Sequence, residues 1–199
     1  MANNQTGSSA DRLMHPLLER LGAVPAAAEG LFAYSAKIVC GKQTETNCCC
    51  VAGARPGVYA TEVNIQNLNL VVAPVLKFVL PLINSGAVVA REPNIAEAVG
   101  LPARQVEVIK LPPLAATMDD CCRIAEMVLG AAPSGDNGLT IAILTIVSQF
   151  ELSVSVVYTA NPLSGDGISI DVEYILPRRL GRGPGQGCKR LTEEGHCQP

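Results

Sequence analysis

The chain has 199 residues, 48% of them hydrophobic and 17% charged, with a formal net charge of -3. That is enough apolar material for one sizeable core, and too little positive charge for a basic stripe along nucleic acid, so no nucleic-acid partner is expected. The longest apolar stretch, residues 68–83, is broken by Pro74, Lys77 and Pro81, so no membrane-spanning helix is expected either.

Residues 1–30 read as a polar lead followed by a short amphipathic helix. Met1 to Ala10 carries no charged side chain and lacks the basic start and apolar middle of a secretory signal. Leu13, Leu17, Leu18 and Leu21 follow at roughly helical spacing, with Pro16 tolerable only in a first turn.

Residues 31–176 read as one domain. Leu31 to Cys40 is the first expected strand, and the loop from Gly41 to Pro56 holds Cys48, Cys49 and Cys50. Gly57 to Asn67 is the second, with Val63 and Ile65 facing inward and Glu62 and Asn64 outward. A turn at Asn67 to Asn69 leads to Leu70–Leu80, where Pro74 implies an edge position, a bulge or a break. Ser85–Ala90 and Gln105–Leu111 supply two more strands. Glu92–Leu101 is loop or a short helix, and Pro112-Pro113 ends the fifth strand. Thr117 with Asp120 three positions on resembles a capping box, and a helix over Met118–Leu129 follows. Cys121, Ile124, Ala125, Val128 and Leu129 share one side of it, and Gly130 stops it.

The clearest pattern comes next. Glu151 to Ala160 and Ile168 to Ile175 alternate apolar and polar residues with period two. The alternation predicts two strands, each with one dry face, and places Leu152, Val154, Val156, Ile168, Ile170 and Val172 in the interior. Gly138–Ser148, joined to the first of these through Gln149-Phe150, completes the set of strands around one internal helix. The expected fold is all-β: an antiparallel β-sandwich, immunoglobulin-like or jelly-roll-like. Residues 177–199 are a tail carrying Arg178, Arg179, Arg182, Lys189, Arg190, Cys188 and Cys197 among glycines and prolines.

Eight cysteines, Cys40, Cys48, Cys49, Cys50, Cys121, Cys122, Cys188 and Cys197, are disulfide candidates. Cys40 and the triplet share a loop and are placed to close it. Cys121 and Cys122, being adjacent, are expected to bond outward to separate partners. Two other readings stand beside this one. Cys40 and Cys121 also suit inert buried thiols. Cys48, Cys50, Cys121 and Cys122 are the first choice for a thiolate metal site, although their spacing is not that of a zinc knuckle. Disulfides imply an extracellular or cell-surface location, against the missing signal segment; a cytoplasmic location is the alternative.

Chemistry is sparse. The two histidines, His15 and His196, lie in the terminal segments. Asp119-Asp120 and the Asp171/Glu173 pair are the acidic candidates; Asp120 suits a helix cap, and Asp171 and Glu173 the wet face of a strand. The run Gly181 to Gly187 is not followed by the Lys-Ser/Thr of a phosphate loop. No catalytic residue, cofactor or enzymatic activity is therefore assigned. Leu70–Leu80 and the uncharged Leu139–Val147 are either deeply buried or matched across a contact between subunits. The expectation is a structural subunit that partners copies of itself in a filament or shell, with a monomeric binding module as the alternative.

Four stretches, Ala36–Gly41, Arg55–Asn67, Asp119–Cys122 and Val157–Ala160, resemble an uncharacterised bacterial group of single β-sandwich domains. The resemblance covers roughly residues 31 to 175 and implies a sandwich, but no ligand or activity. Gln66 stands where that group has a histidine, which argues against a metal-binding role for its strand.

Overall fold

A computed structural model describes residues 30–44, 55–84, 87–88, 106–129, 138–163 and 167–180. The expected N-terminal helix, the cysteine triplet, the 92–101 segment and most of the tail lie outside these residues.

The described chain is an antiparallel β-sandwich with one internal helix. In order it runs β1 (Leu31–Gln43), β2 (Gly57–Gln66), β3 (Ala73–Asn84), β4 (Ala87–Val88), β5 (Glu107–Leu111), β6 (Ala116–Asp119), α1 (Cys121–Leu129), β7 (Thr140–Ser148), β8 (Ser153–Pro162), β9 (Ser169–Tyr174) and β10 (Arg178–Leu180). One sheet is built on β3, β7 and β1, with β4 and β5 flanking β3 and β10 flanking β1. The other is built on β2, β8 and β9, with β6 beside β2. Strand β1 belongs to both. Phe32 to Cys40 pairs with β7, and then Gly41 to Gln43 pairs with β2. The change of sheet falls at Gly41, whose φ of 100° is open to a residue without Cβ.

Alternation in β1 sends Tyr34, Ala36, Ile38 and Cys40 into the core. They meet Leu144 and Ile146 of β7, and Val63, Ile65, Val154 and Val156 of the facing sheet. Tyr34 also ties the two sheets by hydrogen bonds. Its hydroxyl donates to the Leu152 carbonyl at 3.0 Å and accepts from the Leu152 amide at 2.6 Å. Burial pushes its phenol above the usual range.

Several expectations are corrected here. The helix starts at Cys121 rather than Met118, because Thr117 is committed to β6, paired with Ile65. Asp120 is the cap; its carboxylate accepts the Arg123 amide at 2.8 Å. The third strand starts at Ala73, leaving Leu70, Val71 and Val72 in an exposed loop. Pro74 lies just ahead of the β7 partner strand, so its missing N–H costs no bond there. The irregularity falls instead between Pro81 and Ile83, where the register with β7 shifts. β7 and β8 are consecutive but lie in different sheets, so Gln149-Phe150 crosses the sandwich rather than closing a hairpin.

The largest correction concerns β9. Leu152, Val154 and Val156 are buried as expected, but Ile168, Ile170 and Val172 are 66%, 64% and 53% exposed. β9 is bonded to β8 along one edge, and all six of its residues are exposed. Its register sets Glu173 opposite the buried Val156 and Asp171 opposite Tyr158, so the polar residues of β9 share the core-facing side of the sheet and Ile170, Val172 and Tyr174 share the outer side.

Tyr34→Phe removes the bridge to Leu152 while keeping the ring. It is expected to cost about 1–3 kcal/mol, because both backbone groups of a buried residue lose their partner. Urea unfolding should show a lower midpoint with an unchanged slope.

Candidate functional site

Three polar features stand out against an apolar fold. The first is the seam where β1 leaves β2. Between the β1 pairing at Tyr59 and the β6 pairing at Val63, β2 has no strand on that side. Thr61 fills the gap with its side chain. The Val39 amide donates to the Thr61 hydroxyl at 3.0 Å, and that hydroxyl donates to the Val39 carbonyl at 3.0 Å. Beside it Cys40 is bonded to Cys121, with the two Cα atoms 5.7 Å apart and a sequence separation of 81. The Thr61 amide donates to the Cys121 sulfur at 3.2 Å. So Cys40 pairs with the helix start and not with the loop triplet, and neither it nor Cys121 is an inert thiol. Cys122 is a free, exposed thiol. With Cys121 bonded to Cys40, that sulfur is unavailable as a thiolate ligand, so the set Cys48, Cys50, Cys121 and Cys122 is not assembled in this form. Among the described residues, no three His, Cys, Asp or Glu side chains group as metal ligands.

The second feature is a buried ion cluster that the sequence pattern did not reveal. Lys77 projects from β3 to the Asp119 carboxylate at 2.7 Å, and these residues are 2% and 1% exposed. Glu107 of β5 lies 3.2 Å from the same ammonium and also binds Arg123 of α1. Arg123 reaches Glu126 at 2.8 Å. Burial works against the Glu107 charge, but Lys77 and Arg123 outweigh it and hold the carboxyl below its ordinary value. This cluster joins β3, β5, β6 and α1. It holds the helix against the open flank of the sandwich, where Ile124 and Met127 enter the core. Lys77 was legible only as an interruption of an apolar run.

The third feature is a cleft under the overhang of β8 and β9. Lys37, Val39 and Ile141 line one wall, and Tyr59, Tyr158 and Asp171 the other. The Tyr158 hydroxyl donates to Glu173 at 3.2 Å. Burial, then the Glu173 and Asp171 charges, push its phenol up to about 12. A phenol so reluctant to ionise is a hydrogen-bond donor at neutral pH, not a base. Asp171 and Glu173 are exposed on β9, but on the side that carries Val156 and Tyr158 of β8 rather than on the outer face where alternation placed them. Gln66 is exposed at the end of β2, and Asp120 is spent on the helix cap. His15, His196, Cys188 and Cys197 lie outside the described residues. The cleft sets Lys37 and Asp171 beside two tyrosine rings, whose hydroxyls donate to the Arg55 carbonyl and to Glu173.

No protein family matches this chain, and no curated protein does. A crystal structure of Thermotoga maritima 1070 is similar with a TM-score of 0.41 and 9% identity, covering 76% of this chain and 96% of that one. A likeness of that size bears on neither activity nor partner.

Two outcomes check the seam and the cluster. Reduction, or Cys40→Ser, reopens a loop of 81 positions. By chain entropy this is expected to cost about 4.5 kcal/mol in denaturant unfolding. Lys77→Met strands Asp119 as an uncompensated buried charge and is expected to cost about 3–5 kcal/mol, most of it recovered in Lys77→Met/Asp119→Leu.

Proposed function

We propose that this protein is a non-enzymatic structural subunit that associates with copies of itself in a filament or shell. The observation that carries the proposal is β9. Among the described residues it is an edge strand with no partner on its outer side, and Ile170, Val172 and Tyr174 share one exposed face of it, continued by Ile168 and Leu176. An edge strand with an exposed apolar face of that length offers a template for another chain, although Asp171 and Glu173 charge its other face. The segments that first suggested subunit contacts, around β3 and β7, are interior strands of one sheet. The contact therefore belongs to β9. The bond between Cys40 and Cys121 supports a location outside the reducing cytosol, at the cell surface or beyond it.

A monomeric binding module is the second reading, favoured by the cleft of Lys37, Tyr59, Tyr158 and Asp171. Light scattering on a size-exclusion column separates the two. The wild-type chain is expected to run as an oligomer whose mass falls on dilution. Ile170→Glu/Val172→Glu is expected to run as a monomer with an unchanged circular dichroism spectrum. A wild-type monomer at every concentration overturns the proposal.

A further inference from the structure

A second apolar surface lies at one end of the sandwich. The loop after β2 exposes Leu68, Leu70, Val71 and Val72, and the turn between β5 and β6 exposes Leu114. The two loops form one tip because Asn67, itself fully buried, joins them. The Asn67 amide donates to the Ala115 carbonyl at 2.9 Å. Its side-chain nitrogen donates to the carbonyls of Val71 at 2.8 Å and of Leu111 and Pro112 at 3.0 Å. Its side-chain oxygen accepts the Asn69 backbone and side-chain amides. Leu114 is held at φ 59°, a left-handed conformation that a leucine without glycine's freedom adopts at a cost. The result is a large apolar side chain kept 62% exposed.

We infer that this tip docks on an anionic lipid surface, inserting its leucines and valines into the outer part of the bilayer. Three observations select lipid over another occupant. The tip is an end formed by two turns rather than a groove, and no charged residue interrupts Gln66–Leu76 or Leu111–Met118. The backbone carbonyls of Val71, Leu111, Pro112 and Ala115 have partners inside the tip, as a segment entering hydrocarbon requires. Exposed cations stand just behind it. Lys110 is paired with Pro74 at the top of its sheet, and Arg178 and Arg179 are paired with Ala33 and Phe32 at the same end. Against them at this end stands the exposed Glu151. Apolar insertion backed by cations is the chemistry of a peripheral contact with acidic headgroups.

The test is co-sedimentation of the full-length protein with vesicles of phosphatidylcholine alone and of phosphatidylcholine with phosphatidylglycerol. Wild type is expected to pellet with the anionic vesicles, and the bound fraction to fall as salt rises. Leu68→Ser/Leu70→Ser and Lys110→Glu/Arg178→Glu are each expected to weaken binding by roughly tenfold or more. Leu114→Gly suits the backbone there, so it is expected to weaken binding while keeping the wild-type melting temperature. Ile170→Glu/Val172→Glu, placed on β9, is expected to bind like wild type per chain. Absence of pelleting with either vesicle overturns the inference. So does a leucine variant whose vesicle binding is unchanged, or one that changes oligomer mass without lipid, since the tip would then serve a second copy.

Discussion

The structure depends on one strand serving two sheets. β1 pairs with β7 for most of its length and passes to β2 only in its last three residues. At the point of divergence both backbones would lose partners. The Thr61 hydroxyl restores them for Val39, and Cys40 bonded to Cys121 fixes the helix beside the gap. Everything else is arranged around that corner: the core on the even-numbered side of β1, the cleft on the other side, and α1 across the flank. A hydroxyl is what the place needs. Valine has the same outline but offers neither donor nor acceptor, and it would leave two buried backbone groups unmet.

Much of the fold was legible in the sequence, because burial imposes a period of two on any strand with one dry face. Val63, Ile65, Val154 and Val156 follow that rule and are buried. β9 shows where the rule stops. It alternates as β8 does, but its register sets Glu173 and Asp171 opposite Val156 and Tyr158, so its apolar side is the outer side of the sheet, in solvent. Period two reports that the faces of a strand differ. It does not report which of the two faces the pairing register turns toward the core. The same local view misplaced the start of α1. Thr117 and Asp120 have cap spacing, but pairing of β6 with β2 claims Thr117, and the cap passes to Asp120.

The site features were less legible, because each joins residues far apart in the chain. Asp119 meets Lys77 from 42 positions away, and Cys121 meets Cys40 from 81. Even a full list of cysteines cannot say which pairs meet until the strands are ordered. The Asn67 hub is a similar case. A buried asparagine reads in sequence as an ordinary turn residue, and only the fold shows five groups of two loops converging on it.

The position of β7 carries a consequence for how the chain reaches this state. It lies between β1 and β3, yet it is made after both of them and after the helix. On an emerging polypeptide the first and third strands therefore have no middle, and each shows a bare apolar flank until Thr140–Ser148 arrives. The union of Cys40 with Cys121 needs no residue beyond the helix start, so in an oxidising compartment it does not depend on that slot being filled. It would then hold the early strands near register while the late one slides in. A chain cut short ahead of residue 140 would thus be an open, sticky half-sheet rather than a smaller version of the domain.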